Sequence, residues 1–346
     1  MKRKLPYLLI PCTILLCLAC QADRSNTSSE PSLPASFPEL SGPFLGQGPA
    51  PLQPELFAPG IVSTGMFTRD VAIGPQGKEL YFCVSIANYT YSTILYSREE
   101  KGRWTEPEIV PFSGGPGVMD FEPAFSADGS RLYFLSTRPD GDEDPGDQDI
   151  WYVERQEGGW GEPINPGPPV NTDGGEFFPS LTQDGSLYFS RNAPGSGLNQ
   201  IFRSRMIEGV FQEAELLPEQ VNCGTNRFNA YIAPDESYLI VPAVGMPDSY
   251  DGVDYYIVFR NEEDQWSEPV NMGPEINQDN ARGWSPYVSP DGTAFFFMAT
   301  RTREVEASQW NYAKLKELYS SPGNGNADIY WVDAGLIHQL RKSAVY

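Results

Sequence analysis

Short apolar runs, separated by small polar turns, recur along this chain at a near-constant interval. Five segments end one strand, turn, and open a second: Ile73-Gly-Pro-Gln-Gly77 before Leu80-Tyr-Phe82, Phe125-Ser-Ala-Asp-Gly129 before Leu132-Tyr-Phe134, Leu181-Thr-Gln-Asp-Gly185 before Leu187-Tyr-Phe189, Ile232-Ala-Pro-Asp-Glu236 before Tyr238-Leu-Ile240, and Val288-Ser-Pro-Asp-Gly292 before Phe295-Phe-Phe297. Successive copies lie 52, 56, 51 and 56 residues apart. Pro presets φ and Asp-Gly supplies a side-chain hydrogen bond and a permissive backbone, which is the chemistry of a tight β-hairpin.

Two further markers keep the same period. A third strand reads Thr93-Ile-Leu-Tyr96, Asp149-Ile-Trp-Tyr152, Gln200-Ile-Phe202, Asp254-Tyr-Tyr256 and Asp328-Ile-Tyr-Trp331. A fourth segment reads Trp104-Thr-Glu-Pro107, Trp160-Gly-Glu-Pro163, Phe211-Gln-Glu-Ala214 and Trp266-Ser-Glu-Pro269. Four short antiparallel strands per repeat make the blade of a β-propeller. The spacing predicts an all-β, five-bladed propeller over residues 44–341, with repeats at about 60–114, 115–171, 172–222, 223–277 and 278–335. The fifth repeat lacks its fourth segment, and Pro54-Glu-Leu-Phe57 is the candidate to close it from the N-terminal side, hiding two edges. A six-bladed ring is the alternative, but a sixth hairpin is not found.

The Ser/Pro-Asp-Gly turn, the Tyr-Phe strand after it and the Asp-Ile-Tyr/Trp strand resemble the WD40-like (Tol-type) β-propeller repeat of bacterial exported proteins. That resemblance implies the fold and leaves function open, because propellers host binding, scaffolding and catalysis alike.

The N-terminus departs from this pattern. Lys2, Arg3 and Lys4 precede an apolar run from Leu5 to Ala19, the layout of an export signal and too short for a stable spanning helix. Cys17-Leu18-Ala19-Cys20 resembles a lipoprotein cleavage site with Cys20 as the acylated residue, although Cys17 stands where Leu is usual. Gln21 after that cysteine resembles outer-membrane sorting. Residues 1–19 are thus read as a signal peptide and residues 20–43, rich in Ser and Pro, as a flexible tether. The expected location is the bacterial envelope, periplasmic or outer-membrane face, with the membrane reached through the lipid anchor only.

Composition narrows the chemistry. The chain has 33 glycines and 32 prolines, as many short strands require, and 40 % hydrophobic residues, enough for a folded core. With 24 basic against 46 acidic residues the formal charge is −22, or −25 once Lys2, Arg3 and Lys4 are removed, which argues against a nucleic-acid partner. The single histidine, His338, leaves little room for a catalytic triad or a zinc site. Cys83 sits in an apolar strand and reads as a small buried hydrophobe; pairing with Cys223 is allowed in an oxidising envelope but joins non-adjacent repeats.

Aligning the hairpins aligns the channel-lining strands. Four residues before each apolar marker stand Arg69, Phe121, Phe177, Phe228 and Trp284. The next position holds Asp70, Glu122, Phe178, Asn229 and Ser285, and the preceding one Thr68, Asp120, Glu176, Arg227 and Gly283. Strict alternation puts the latter two sets on one face and the aromatic set on the other, as packing between blades. Asp70, Asp120, Glu122, Glu176, Arg227, Asn229 and Arg282 are then expected to converge at one mouth as a polar ligand site. The expected role is non-catalytic recognition of an envelope protein or glycan. The alternative is a carbohydrate-active hydrolase or lyase, resembling five-bladed propeller glycosidases, with Asp70, Glu122 and Glu176 as its carboxyl set.

Two segments stand apart. Asp140, Asp142 and Asp144 resemble the start of a calcium loop, but Pro145 and Trp151 break the EF-hand pattern; a solvated acidic loop is the reading and calcium the alternative. No other cofactor is implied. Glu304 to Leu318 has helical apolar spacing and predicts a short helix laid over one face as a lid or brace, while His338 is expected at the surface without a role.

Overall fold

The computed structural model of the chain describes residues 37–140, 147–192, 195, 197–250, 252–278 and 281–346. The signal peptide, Cys20, most of the tether, Asp142 and Asp144 lie outside the described residues. Five antiparallel sheets form five blades, each entered through an inner strand next to the channel. These inner strands contain Phe67–Ile73, Asp120–Phe125, Glu176–Leu181, the pair Asn226–Arg227 and Tyr231–Ile232, and Tyr287–Val288.

Each inner strand turns into the second through the hairpin read from the sequence. In four of these turns the aspartate accepts the backbone N–H two residues on: Asp128 from Ser130 (2.9 Å), Asp184 from Ser186 (3.0 Å), Asp235 from Ser237 (3.0 Å) and Asp291 from Thr293 (3.1 Å). Hydrogen bonds hold Asp128, Asp184 and Asp291 below the usual aspartate range: the Ser130 N–H leads for Asp128, while for Asp184 and Asp291 burial pulls upward and is outweighed by the Thr182 and Ser289 hydroxyls together with the backbone amides.

The second and third strands carry the core, and their apolar runs are continuous because both faces are covered by neighbouring blades. In Glu79–Ile86, Tyr81 and Cys83 pack towards blade two, while Leu80, Phe82 and Val84 pack towards blade five. The buried clusters follow the same rule and lie between successive blades around the ring. Cys83 and Cys223 are both buried and free, as the bland reading expected.

The outer strands differ from the reading. Trp104, Trp160, Phe211 and Trp266 do not sit in the fourth strands. They form short hairpins folded back from the third strands, pairing with Glu99, Arg155, Met206 and Arg260. The outer strands come a few residues later, at Glu108–Ile109, Glu215–Leu216 and Val270–Asn271, with Ile164 bridging Tyr152 in blade two.

Blade five takes its outer strand from the N-terminal side, as expected. Glu55–Leu56 pairs antiparallel with Trp331 and Tyr330. The segment beyond it copies the outer connection of other blades. Asn171, Asn222 and Asn277 each use one side-chain amide to bond the backbone N–H and C=O of a third-strand residue, Ile150, Ile201 and Tyr255. Ser63 does the same for Ile329, its Oγ donating to the carbonyl (3.1 Å) and accepting from the amide (3.3 Å). The compact unit begins at Glu39, earlier than the tether boundary at 43. There, Leu40 accepts from the Trp104 amide (2.9 Å) and Gly42 from its indole N–H (2.8 Å).

The blade-five insertion is a helix, but a shorter one. A 3-10 turn, Ala307–Gln309, precedes the helix Tyr312–Tyr319, whose start is set by Asn311 accepting the Lys314 amide (3.1 Å). None of its residues is buried; Tyr312 and Tyr319 are 74 % and 81 % exposed, so it does not cover a core. His338 is exposed on the helix Gly335–Leu340.

Candidate functional site

The inner strands are not regular, and this decides the site. Pairing with the second strand slips by one residue after Arg69, Phe121 and Phe177. The residue that follows each slip is left-handed: Asp70 (φ 53°), Glu122 (φ 60°) and Phe178 (φ 54°), with Asn229 (φ 51°) at the equivalent place in blade four. A bulge of this kind breaks the two-residue period and re-aims a side chain. The two sets that strict alternation placed on one face are thereby separated.

The bulge set turns into the waist of the channel and forms one buried cluster. Arg69 donates from Nε to Asp70 (2.9 Å) and from Nη2 to Glu122 (2.6 Å). Asn229 donates to the same Glu122 oxygen (3.0 Å), the Phe178 amide to the other (2.7 Å), and the Ser285 hydroxyl to Asp70 (2.5 Å). All four carboxylate oxygens therefore already accept a hydrogen bond from the protein. Burial pushes the Glu122 carboxyl up to about 7, against the pull of Arg69 and with the Asp70 charge adding to the rise. A buried carboxyl group that shares one guanidinium with a second carboxylate holds its proton more readily than it would in water, as Glu122 does.

The preceding set points elsewhere, which corrects the expected convergence. Asp120 accepts from Ser113, the Gly114 amide, Ser136 and Arg138, and is fully buried within its own blade edge. Glu176 is bound by Thr172 and by Arg191 Nε (2.7 Å), and burial raises its carboxyl above the usual range. Arg227 donates to the carbonyls of Cys223, Gly224 and Asn199, with no carboxylate among these partners, and burial lowers it. These three groups are staples between strand ends and outer connections. Gly283, the fifth member, is glycine because a Cβ there would lie 2.1 Å from Tyr255 Cε2.

The aromatic set packs between blades as expected and also faces the channel mouth. Phe121 and Phe177 do pack in the cluster between the first two blades, yet with Phe228 and Trp284 they also line a cavity of about 690 Å³ at one mouth of the channel. Its floor is Glu122, Asn229 and Arg69; its rim is Tyr89, Gln148 and Asn199, from the loops between second and third strands and the start of a third strand, together with Arg282, which precedes the inner strand of blade five. The rim residues other than Arg282 were not singled out in the sequence, because those loops differ in length between repeats. A second cavity of about 420 Å³ opens at the hairpin mouth, lined by Asp70, Glu122, several prolines and two tyrosines, Tyr231 and Tyr287, whose hydroxyls bond backbone carbonyls. The waist cluster lies between the two.

Among the described residues no grouping fit to hold a metal ion is found, and Asp140 is exposed. No described helix is long and apolar enough to cross a membrane.

No protein-family model matches the sequence, and no curated protein is similar to it. Among solved structures, the chain is similar to TolB from Acinetobacter baumannii at 13 % identity, over 77 % of this chain and 54 % of that one, with a TM-score of 0.43. It is similar to a thermostable family-43 glycoside hydrolase at 15 % identity, over 78 % and 89 % of the two chains, with a TM-score of 0.45. The periplasmic gluconolactonase PpgL of Pseudomonas aeruginosa aligns at 12 % identity over 67 % and 64 %, with a TM-score of 0.40. The chain spans about half the length of the TolB structure.

Proposed function

We propose that this chain is a non-catalytic binding propeller of the bacterial envelope that holds a neutral glycan at the aromatic mouth of its channel. The observation that carries this reading is the division of labour between the waist and the cup above it. At the waist, each carboxylate oxygen of Asp70 and Glu122 is engaged by a protein donor. Above it, the half-buried Phe228 and Trp284, backed by the buried Phe121 and Phe177, line open space beside Gln148, Asn199 and Asn229. Aromatic faces suit the C–H faces of a sugar ring and amides suit its hydroxyls. Charges of both signs, Arg69 and Arg282 with Glu122, border the cup, so it offers no single sign to an acidic or basic protein segment. The placement in the envelope rests on the signal-like N-terminus and Cys20.

The hydrolase reading needs two carboxyl groups flanking one bond, about 5–10 Å apart. Glu176 is bonded on a different face of the strand and leaves the expected trio incomplete. Calorimetric titration with cello-, xylo- and chito-oligosaccharides, with chromatography of the same mixtures, tests both readings. Binding that is lost in W284A, with no new products, supports a binding propeller. Cleavage that disappears in Asp70→Asn makes the protein a hydrolase instead.

A further inference from the structure

A second cavity adjoins the cup, and its position says more about the ligand. It measures about 670 Å³ and is lined by Met66, Phe67, Asn88, Tyr89, Tyr319 and Asn326 among others. Tyr89 belongs to the walls of both cavities. Phe67 stacks on Trp284 of the cup (ring centroids 6.2 Å, 28° between planes) and meets Tyr89 edge-on (5.3 Å), and Tyr89 in turn meets Phe121 edge-on (5.8 Å). An unbroken aromatic series therefore joins one cavity to the other.

The join is built with some care in the backbone. Ala87, Asn88 and Tyr89 are three consecutive non-glycine residues in the left-handed region, with φ of 52°, 52° and 68°, a conformation L side chains seldom adopt in series. Thr90 Oγ1 donates to the Ala87 carbonyl (2.7 Å) and Ser92 Oγ to that of Tyr89 (2.8 Å), holding the turn. The far wall is fixed as well. Gly65 (φ 96°) lies so close to the end of the insertion that a Cβ would meet the Ser321 amide nitrogen at 2.6 Å, and Asn324 and Asn326 both donate to its carbonyl at 2.9 Å. This pins the insertion beside the cavity and sets Tyr319 at its edge, 81 % exposed. No charged side chain lines this cavity, although the chain as a whole carries a formal charge of −22.

We infer that the ligand is a linear oligosaccharide rather than a single sugar, and that it runs from the cup over Tyr89 into this second cavity, with Tyr319 as the outer platform. The inference rests on the glycan reading above and adds the direction and length of the bound chain. A series of aromatic side chains across two contiguous hollows, the second without any charged lining, matches a run of neutral rings laid along it.

Titration calorimetry with the disaccharide and the hexasaccharide of the cello, xylo and chito series distinguishes the two levels. The expected result is tighter binding of the hexasaccharide, with Tyr319→Ala and Tyr89→Ala weakening it about tenfold more than they weaken the disaccharide, the loss of one stacked ring. A hexasaccharide bound no tighter than the disaccharide, or weakened no more than it by Tyr319→Ala, overturns the extended path while leaving the cup in place. If none of the three series binds at either length, the glycan reading falls and the path with it. Tyr319 is exposed, so its variant tests the path without risk to the fold.

Discussion

Glu122 in blade two takes a hydrogen bond from Arg69 in blade one across the channel, Nη2 to Oε1 at 2.6 Å, although that guanidinium is also bound to Asp70. The cluster has one positive charge for two carboxyl groups, and all of it is buried. Raising the Glu122 carboxyl to about 7 from its ordinary 4.5 means that the folded chain keeps a proton the unfolded chain has lost. Stability contributed by that proton is complete below pH 4.5 and disappears as pH rises to about 7, a change on the order of 3 kcal/mol. Glu122→Gln, which mimics the protonated form, is expected to flatten the fall in melting temperature between pH 5 and pH 8. Parallel thermal scans of wild type and variant decide this; equal slopes would refute it.

Glu176 and Arg191 make a second buried pair, separate from the channel. Replacing Arg191 by Met leaves the carboxyl without its cation, and a loss of about 3–5 kcal/mol is expected for such a broken pair. Because Arg191 also holds the carbonyls of Pro169 and Val170, the loosening should spread to that connection. Urea unfolding gives the energy, and hydrogen exchange at residues 169–172 gives the place.

Gly283→Ala puts a methyl group 2.1 Å from a ring carbon of Tyr255, whose hydroxyl donates to the Met298 carbonyl and accepts from the Ser285 amide. Both partners are in blade five, so the ring has no free direction in which to yield. A destabilisation of about 1–3 kcal/mol is expected from overpacking of this kind. A melting temperature equal to that of wild type would show that the inner strand shifts without penalty.

Phe57 is fully buried, edge-on to Phe296 at 5.0 Å and to Trp331 at 5.3 Å. Phe57→Ala is expected to remove about 3–5 kcal/mol and to free the Glu55–Leu56 strand from the blade-five edge. Exposed edges pair with other chains. Size-exclusion chromatography after mild heating should show oligomers in this variant before it shows them in wild type.

Trp284→Ala is expected to abolish oligosaccharide binding by the cup with little change in unfolding energy, since Trp284 is only half-buried. Titration and urea unfolding on the same preparation separate the two effects.

Much of the architecture was legible because it is written in repeated turns. Pro, Asp and Gly at the hairpins set five registers, and Pro54–Phe57 carried enough of the outer-strand pattern to be placed in blade five. The channel was not legible, because its decisive feature has no residue signature. The left-handed bulge is occupied by Asp70, Glu122, Phe178 and Asn229, none of them glycine, so nothing in the sequence announces that alternation fails there. The partners of the acidic residues were hidden for another reason. Arg138 and Arg191 lie at the ends of second strands, 18 and 15 residues after Asp120 and Glu176, and only strand pairing brings them back. The Trp-x-Glu-Pro segments misled in a simpler way: their aromatics do recur with the blade, but in a hairpin beside the outer strand. Asn311 shortened the insertion helix, since a capping side chain outweighs apolar spacing that runs past it.

The lead-in to the propeller crosses the joint between first and last blades more than once. Leu40 and Gly42 are fastened to Trp104 of blade one, Glu55–Leu56 to Tyr330 and Trp331 of blade five, and Ser63 to Ile329 before the chain enters blade one again at Phe67. The seam of the ring is therefore stitched rather than merely abutted. The Ser63–Ile329 stitch spans 266 residues of sequence, so it can be tied only when nearly the whole domain has been delivered. Until then every blade already folded stands in an open arc, and the same short segment that finishes the circle is the one that waits longest for its partner.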